Sequence, residues 1–289
     1  MGQARLITLT TDFGTADGYV GAMKGVILGI VPNARLVDIS HEIAPQNVRQ
    51  AAYVLYSTYP FFPPHTVHLV VVDPGVGSAR RPIALRTPAG TFVGPDNGVF
   101  SYVRACEPDG LLVELAEPRY RLPRVSHTFH GRDIFAPAAA HLAAGVPITA
   151  LGPLVRDPVT FPRPRLEVAP DSVTGEVLHA DRFGNVVTSI GHLMWRGDEL
   201  VLDPAFQEAG DRRREVGGGE HVCFKAGEAT VVVAGQEIAG VRRTYAEIEP
   251  GETLALVGSA GHLEIAVREG NAARRLGLCP GDAVMLRLR

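Results

Sequence analysis

Residues 5–40 read RLITLTTDFGTADGYVGAMKGVILGIVPNARLVDIS, and the order of patterns in this stretch decides the fold. RLITLTT is rich in β-branched and apolar residues, which predicts a strand. YVGAMKGVILGI then sets Val20, Met23, Ile27 and Ile30 on one helical face. ARLVDIS is extended again. A strand, a helix and a strand in succession predict a crossover and a parallel pair. Further on, NVRQAAYVLYSTY reads as a second helix and HLVVVD as a third strand. RPIALRTPAGTFVG predicts a hairpin beside the sheet, with Gly90 between its extended runs. GRDIFAPAAAHLAAG predicts another helix, with Pro137 in its first turn, where a missing N–H is tolerated. An α/β domain with a mainly parallel sheet is expected over residues 1–155.

The character then changes. GPLVRDPVTFPRPR carries Pro153, Pro158, Pro162 and Pro164. Proline at that density predicts an extended linker, placed at 156–166. Beyond it come short strands between glycine turns: EVLHAD, NVVTSI, ELVLD, HVCFKA, ATVVVAG, ETLALVG, HLEIAVR and AVMLRLR. They predict an all-β, barrel-like domain over 167–289. REVGGGEH reads as a surface loop.

Composition limits the function. The chain has 289 residues, 46% hydrophobic and 20% charged, with a formal net charge of −3, which gives no electrostatic grip on nucleic acid or anionic lipid. Its 3 cysteines form no CxxC, so neither a disulfide frame nor a structural zinc is expected. There is no basic-then-apolar leader pattern and no apolar run long enough to span a bilayer. A soluble cytoplasmic protein is the expectation.

Polar residues gather where strands end, the place where open α/β sheets bind ligands. In TTDFGTADGYVG, Asp12 closes the first strand, and Gly14, Gly18 and Gly21 follow. Neither GxGxxG nor a P-loop is present. Asp12 either caps the next helix or holds a ribose diol. In VVVDPGVGSARRP, residues 70–82, Asp73 follows a strand too apolar for a sheet edge. A carboxylate there needs a partner, and Arg80 is the nearest cation. In SHTFHGRDIFAP, His127, His130 and Asp133 invite a metal reading, but their spacing lacks the glutamate of HExxH. Asp96-Asn97-Gly98 is a turn signature first. In ADRFGNVVTSI and LVGSAGHLEIAV, Asp181, Asn185, Ser259 and Glu264 stand among glycines, where hairpin turns are the plain reading.

Taken together, TTDFGTADGYVGAMKG, VVDPGVGSARRPI, GPDNGVF, TFHGRDIFAPAAA, DRFGN and GSAGHLEIAV resemble the S-adenosyl-L-methionine (SAM) hydroxide adenosyltransferases, or SAM hydrolases. These are relatives of the fluorinase and chlorinase enzymes. The resemblance implies the reaction SAM + water → adenosine + L-methionine, with no cofactor and no metal. It also implies a homotrimer whose sites lie between one subunit's N-terminal domain and its neighbour's C-terminal domain. It maps a catalytic Asp-Arg-His set onto Asp73, Arg80 and His130. Asp12 matches the acid that grips the ribose, with Asp17, Gly18 and Tyr19 in the same binding segment. Asn185 matches an adenine-reading asparagine, and Tyr245 is implied to stack on the base. Asp181, Ser259 and Glu264 fall at the methionine end, and Val267 near adenine.

Two departures from the halogenating relatives bear on the nucleophile. They carry a tyrosine where Asp73 stands and a serine where Gly131 stands. A carboxylate repels halide, so water or hydroxide is favoured here. Ala260 stands where they have an arginine near the methionine carboxylate, which leaves that contact unassigned. The substrate's sulfonium is already a good leaving group, so the task left to the protein is to place water in line with C5′–S and to take its proton. Asp73 and His130 are both open as the acceptor. The alternatives are a SAM-dependent halogenase, a SAM or adenosine sensor with little turnover, and a metal-dependent nucleoside hydrolase using His127, His130 and Asp133.

Overall fold

The apolar run at 67–72 forms the innermost strand of a six-stranded sheet. The computed structural model describes residues 5–204 and 222–288. REVGGGEH therefore lies outside the described residues. The chain divides into two units, Met1–Phe161 and Pro162–Arg289. In the first, β1 (Leu6–Thr11), β2 (Arg35–Ser40), β3 (Val67–Val71), β4 (Pro82–Thr87), β5 (Gly90–Pro95) and β6 (Leu111–Glu114) lie in the order β2-β1-β3-β5-β4-β6. The pairs β1–β2, β1–β3 and β3–β5 are parallel, while β4 runs antiparallel to both its neighbours. The sheet is therefore mixed, with β4 the one reversed strand.

Every residue of β3 is buried, as a strand covered on both faces must be. One face packs under α1 (Tyr19–Ile30), whose Met23 and Ile27 join Leu9, Leu69 and Val71 in a core shared with the alanine-rich α4 (Ala136–Ala143). Small side chains let that helix lie close to the sheet. Toward the other face stand α2 (Val48–Thr58) and α3 (Ser101–Cys106). Asn47 caps α2 by accepting the Gln50 N–H at 3.0 Å.

The 82–95 segment is the expected hairpin, but its turn is Pro88–Ala89. Gly90 opens the second strand, and that strand pairs with β3 in the body of the sheet. In the first unit α3 and β6 escaped the periodicity reading, because each is too short for a period to show. The 156–161 stretch lies on the first unit. Arg81 donates to Asp157, and the Val159 N–H reaches Asp96 Oδ1 at 2.8 Å.

The second unit holds β7 (Leu166–Ala169), β8 (Ser172–Ala180), β9 (Val186–Thr188), β10 (Leu193–Arg196), β11 (Glu199–Leu202), β12 (Val222–Lys225), β13 (Thr230–Val233), β14 (Gln236–Ala239), β15 (Val241–Arg242), β16 (Thr253–Val257), β17 (Leu263–Val267) and β18 (Ala283–Arg287). Nine of them form one sheet with the path β14-β13-β18-β8-β9-β17-β16-β15, and β7 pairs with β8. The path begins on β14 and ends on β15, which are joined through Gly240 at φ 72°. The sheet therefore curls toward closure around a core that includes Val173, Ile190, Val231 and Leu286. A short helix, α5 (Ala272–Leu276), and a 3-10 turn at Tyr245–Glu247 are exceptions to an all-β reading.

Candidate functional site

Parallel strands β1 and β3 end side by side, and each hands an aspartate to the loop that follows. Asp12 comes one residue after β1 and Asp73 two residues after β3. The third contributor is the segment before α4. His130 precedes a single π-helical turn, Gly131–Phe135, a widened geometry found often at functional sites. Asp12, Tyr19, Gln46, Asp73, His130 and Gly131 stand together in the wall of one cavity of about 410 Å³. A larger cavity, about 600 Å³, opens at the other end of the sheet beside Arg5, Val67 and Thr91. Its wall holds no carboxylate, so we place the chemistry at the smaller one.

Arg80 links the two loops. Its Nε donates to Asp73 Oδ1 at 2.8 Å and its Nη2 to Asp73 Oδ2. The same Nη2 lies 2.8 Å from His130 Nδ1. The Asp73 and Arg80 side chains are only 5% and 9% exposed, so this is a buried, forked ion pair. A guanidinium has donors and no acceptor. His130 Nδ1 must therefore accept, which puts the ring proton on Nε2. Burial, with the Arg80 charge beside it, holds His130 below its ordinary pKa and so favours this neutral ring. Among the described residues Arg80 Nη1 is buried with no hydrogen-bond partner, and the guanidinium carbon sits 5.0 Å from the Phe135 ring centre.

The loops meet closely. Gly77 adopts φ 77°, and a Cβ there would stand 2.4 Å from the His127 carbonyl oxygen. Asp133 is fully buried. Burial alone would raise its pKa, but hydrogen bonds from Arg132 and from the Ser126 N–H and hydroxyl outweigh that and lower it. It thus braces the loop before His130. The metal reading of His127, His130 and Asp133 finds no group of three ligands among the described residues. The turn signature at Asp96-Asn97-Gly98 is structural: Asp96 holds Arg81, and Asn97 Nδ2 donates to the Val72 carbonyl at 2.9 Å.

On the ribose side of the expectation, Asp12 Oδ2 accepts the Gln46 N–H at 2.8 Å. Gln46 itself has φ 66°, a conformation uncommon outside glycine. Tyr19 packs with Phe13 and Phe129, the three ring centres 5.1–5.8 Å apart. Asp17 and Gly18 lie in the exposed turn ahead of α1, outside the cavity wall. Sequence reasoning missed Phe13, Gln46 and Phe129. Phe13 and Phe129 were inside the quoted motifs and signalled only by their type, and Gln46 carried no signal.

In the second unit, Asp181 and Asn185 close the β8–β9 hairpin. Asp181 Oδ1 accepts the Asn185 N–H at 2.8 Å and Oδ2 accepts Asn185 Nδ2 at 3.0 Å. Nδ2 also reaches the Tyr245 hydroxyl at 3.3 Å. Glu264 lies against Gly258, where a Cβ would meet its Oε1, and so borders the turn that carries Ser259. Burial, then the Asp181 charge, pushes Glu264 up to about 7. Val267 differs from the others, because its side chain is in the hydrophobic core.

An α/β unit with an Asp-Arg-His group at its strand ends, followed by a curled β unit, defines a two-domain architecture that the comparisons place. The family described as SAM hydroxide adenosyltransferase matches residues 7–152 with its N-terminal domain and 175–285 with its C-terminal domain. The chain belongs to that family. It is 40% identical to the (R)-S-adenosyl-L-methionine hydrolase of Thermus thermophilus, over 98% of this chain and 99% of the relative. The Salinispora arenicola protein of the same name is 39% identical over 96% and 95%. The fluorinase of an Actinoplanes species is more distant, 31% identical over 65% and 68%. Among solved structures, an uncharacterized conserved protein from Thermotoga maritima superposes with a TM-score of 0.81 at 36% identity, over 97% of this chain and 99% of that one.

Proposed function

We propose that this protein hydrolyses SAM to adenosine and L-methionine by in-line attack of water at C5′. The observation that carries the reading is the Asp73–Arg80–His130 contact chain in a cavity that also presents Asp12, in a chain of this family. The water oxygen bonds to C5′ as the C5′–S bond breaks, and the bonding pair leaves with sulfur as neutral methionine. One proton must go to a base. Asp73 is that base: Arg80 fixes its orientation, and each of its oxygens retains a second lone pair. The neutral His130 cannot accept at Nδ1 without losing Arg80, and its Nε2 already carries a proton. His130 instead donates from Nε2 to orient the water. No sulfonium leaving group needs an acid, so one carboxylate suffices.

Asp12 grips the ribose diol, with Asp17, Gly18 and Tyr19 in the same segment. Asp181, Ser259 and Glu264 face the methionine end, Asn185 reads adenine and Tyr245 stacks on it. Val267 takes part through its main chain alone. The second-unit contacts come from a neighbouring subunit of a homotrimer, acting in the cytoplasm, a compartment that suits a chain whose 3 cysteines form no CxxC. The test is incubation with (R)-SAM and chromatography of the products. Adenosine and methionine in equal amounts are expected. Methylthioadenosine, S-adenosylhomocysteine or unchanged SAM would rule the reading out.

A further inference from the structure

The residues on either side of Asp12 are bonded to one that follows the neighbouring strand. The β1–β2 register shifts beside the site: Leu9 pairs with Asp38, but Thr10 pairs with Ser40. The extra residue on β2 turns the strand end, and bulges of this kind re-aim the side chains that follow. His41 comes next, and its ring is buried between the two strand ends. Its Nδ1 lies 2.8 Å from the Oγ1 of Thr11, which is itself fully buried. Its own carbonyl accepts the Gly14 N–H at 2.8 Å. One residue therefore grips both flanks of the Asp12–Phe13 dipeptide.

Thr11 Oγ1 also accepts the Phe13 N–H at 3.3 Å. Among the described residues its proton finds an acceptor only at His41 Nδ1, which in the neutral ring sets the proton on Nε2. That nitrogen lies 3.1 Å from Asp38 Oδ1, in ion-pair rather than hydrogen-bond alignment. Asp38 Oδ2 is held in turn by Lys24 Nζ at 2.6 Å, from α1. We infer that His41 is a positioning residue: the Asp38–His41–Thr11 chain fixes Asp12 and the Phe13 wall for substrate, without touching the substrate. This rests on the proposed role of Asp12 at the ribose. Space filling alone would not need an acceptor at Nδ1, and any apolar side chain of similar volume would serve.

Steady-state SAM hydrolysis, with calorimetric SAM binding in an Asp73→Asn background, tests it. His41→Leu fills the space and removes both nitrogens. Its KM should rise about tenfold with kcat within about twofold, the loss of one well-made buried hydrogen bond. His41→Asn offers Oδ1 where Nδ1 stood and should recover most of the affinity. Thr11→Val, close in shape, should match His41→Leu. The inference is overturned if Leu and Asn are equally impaired, or if kcat falls while KM holds. Should His41→Leu not fold, Thr11→Val decides alone, and an unchanged KM overturns the inference. A wild type that does not turn over SAM would sink the proposed function instead. Adenosine binding would then be the readout for His41, with the same tenfold loss expected and an unchanged or absent affinity counting against it.

Discussion

At the residue scale the chemistry turns on what Arg80 permits. Its fork holds both Asp73 oxygens and one His130 nitrogen, so a single cation sets the orientation of the acid and the tautomer of the ring. Asp73→Asn should keep SAM binding and lower kcat by roughly 10²–10⁴-fold, the range for a general base. The same change leaves a buried guanidinium without its charge partner, which costs on the order of 3–5 kcal/mol, so circular dichroism must accompany the rate assay. A folded variant with near-normal kcat would remove Asp73 from its role. Gly131 sets the second expectation. A Cβ there would stand 3.2 Å from Met23 Sδ and Phe129 Cε2 and 3.3 Å from Val71 Cγ1. A serine is therefore crowded by three side chains, and overpacking of this kind costs about 1–3 kcal/mol. Gly131→Ser should lower the melting temperature and, with SAM and excess chloride, still give no 5′-chloroadenosine while Asp73 remains. Chlorinated product from this single variant would show that the carboxylate does not exclude halide.

Elements decide which of these residues could be found without coordinates. β1, β3 and α1 were legible because their apolar patterns are long, and Asp12 and Asp73 were legible because each interrupts such a pattern at its end. The pairing of Arg80 with Asp73 was suggested by closeness in sequence. That Arg80 also reaches His130, 50 positions away, depends on how two loops pack, which no local pattern encodes. The π turn was invisible for the same reason: GRDIFAPAAA reads as ordinary helix, and the bonds from Ser126 to the buried Asp133 form only once the preceding loop has packed. His41 escaped notice because its side-chain partners, Thr11 and Asp38, come from two different strands. Gly77 tests the loop packing directly. The variant Gly77→Ala puts a Cβ against the His127 carbonyl at a positive φ, so the 73–80 loop must move away from the 126–130 segment. That should separate Arg80 from His130, lowering kcat more than it raises KM, with a stability loss of about 1–3 kcal/mol. Melting curves and kinetics that match wild type would show that the contact is dispensable.

Over the whole molecule, buried titratable groups set an acid limit. His68 in the first unit and His262 in the second are both pushed to about 4 by burial. Each is neutral when folded but protonates near 6.5 once unfolded, so its contribution is complete above that pH and is lost as pH falls toward 4. About 3 kcal/mol could go at each site over that window. Glu264 works in the opposite sense: burial raises its pKa to about 7, so its contribution is present below the ordinary glutamate range and is lost as pH rises through 7. Urea unfolding should therefore show a steep loss of stability from pH 6.5 to 4, and His68→Phe should flatten part of it; a slope unchanged by that variant would assign the loss elsewhere. Assembly gives the other whole-molecule expectation. The groups proposed for the reaction lie in the first unit, at Asp12, Asp73 and His130, and the groups proposed for adenine and methionine lie in the second, at Asn185 and Ser259. If one site draws on two subunits, a chain with Asp73→Asn and a chain with Asn185→Ala should each be nearly inactive alone. A closed ring repeats one heterologous contact. Co-expression then sets some intact first units against intact second units, and part of the wild-type rate should return in the mixed assemblies. Mixed assemblies as inactive as either parent would mean that each site is completed within a single chain.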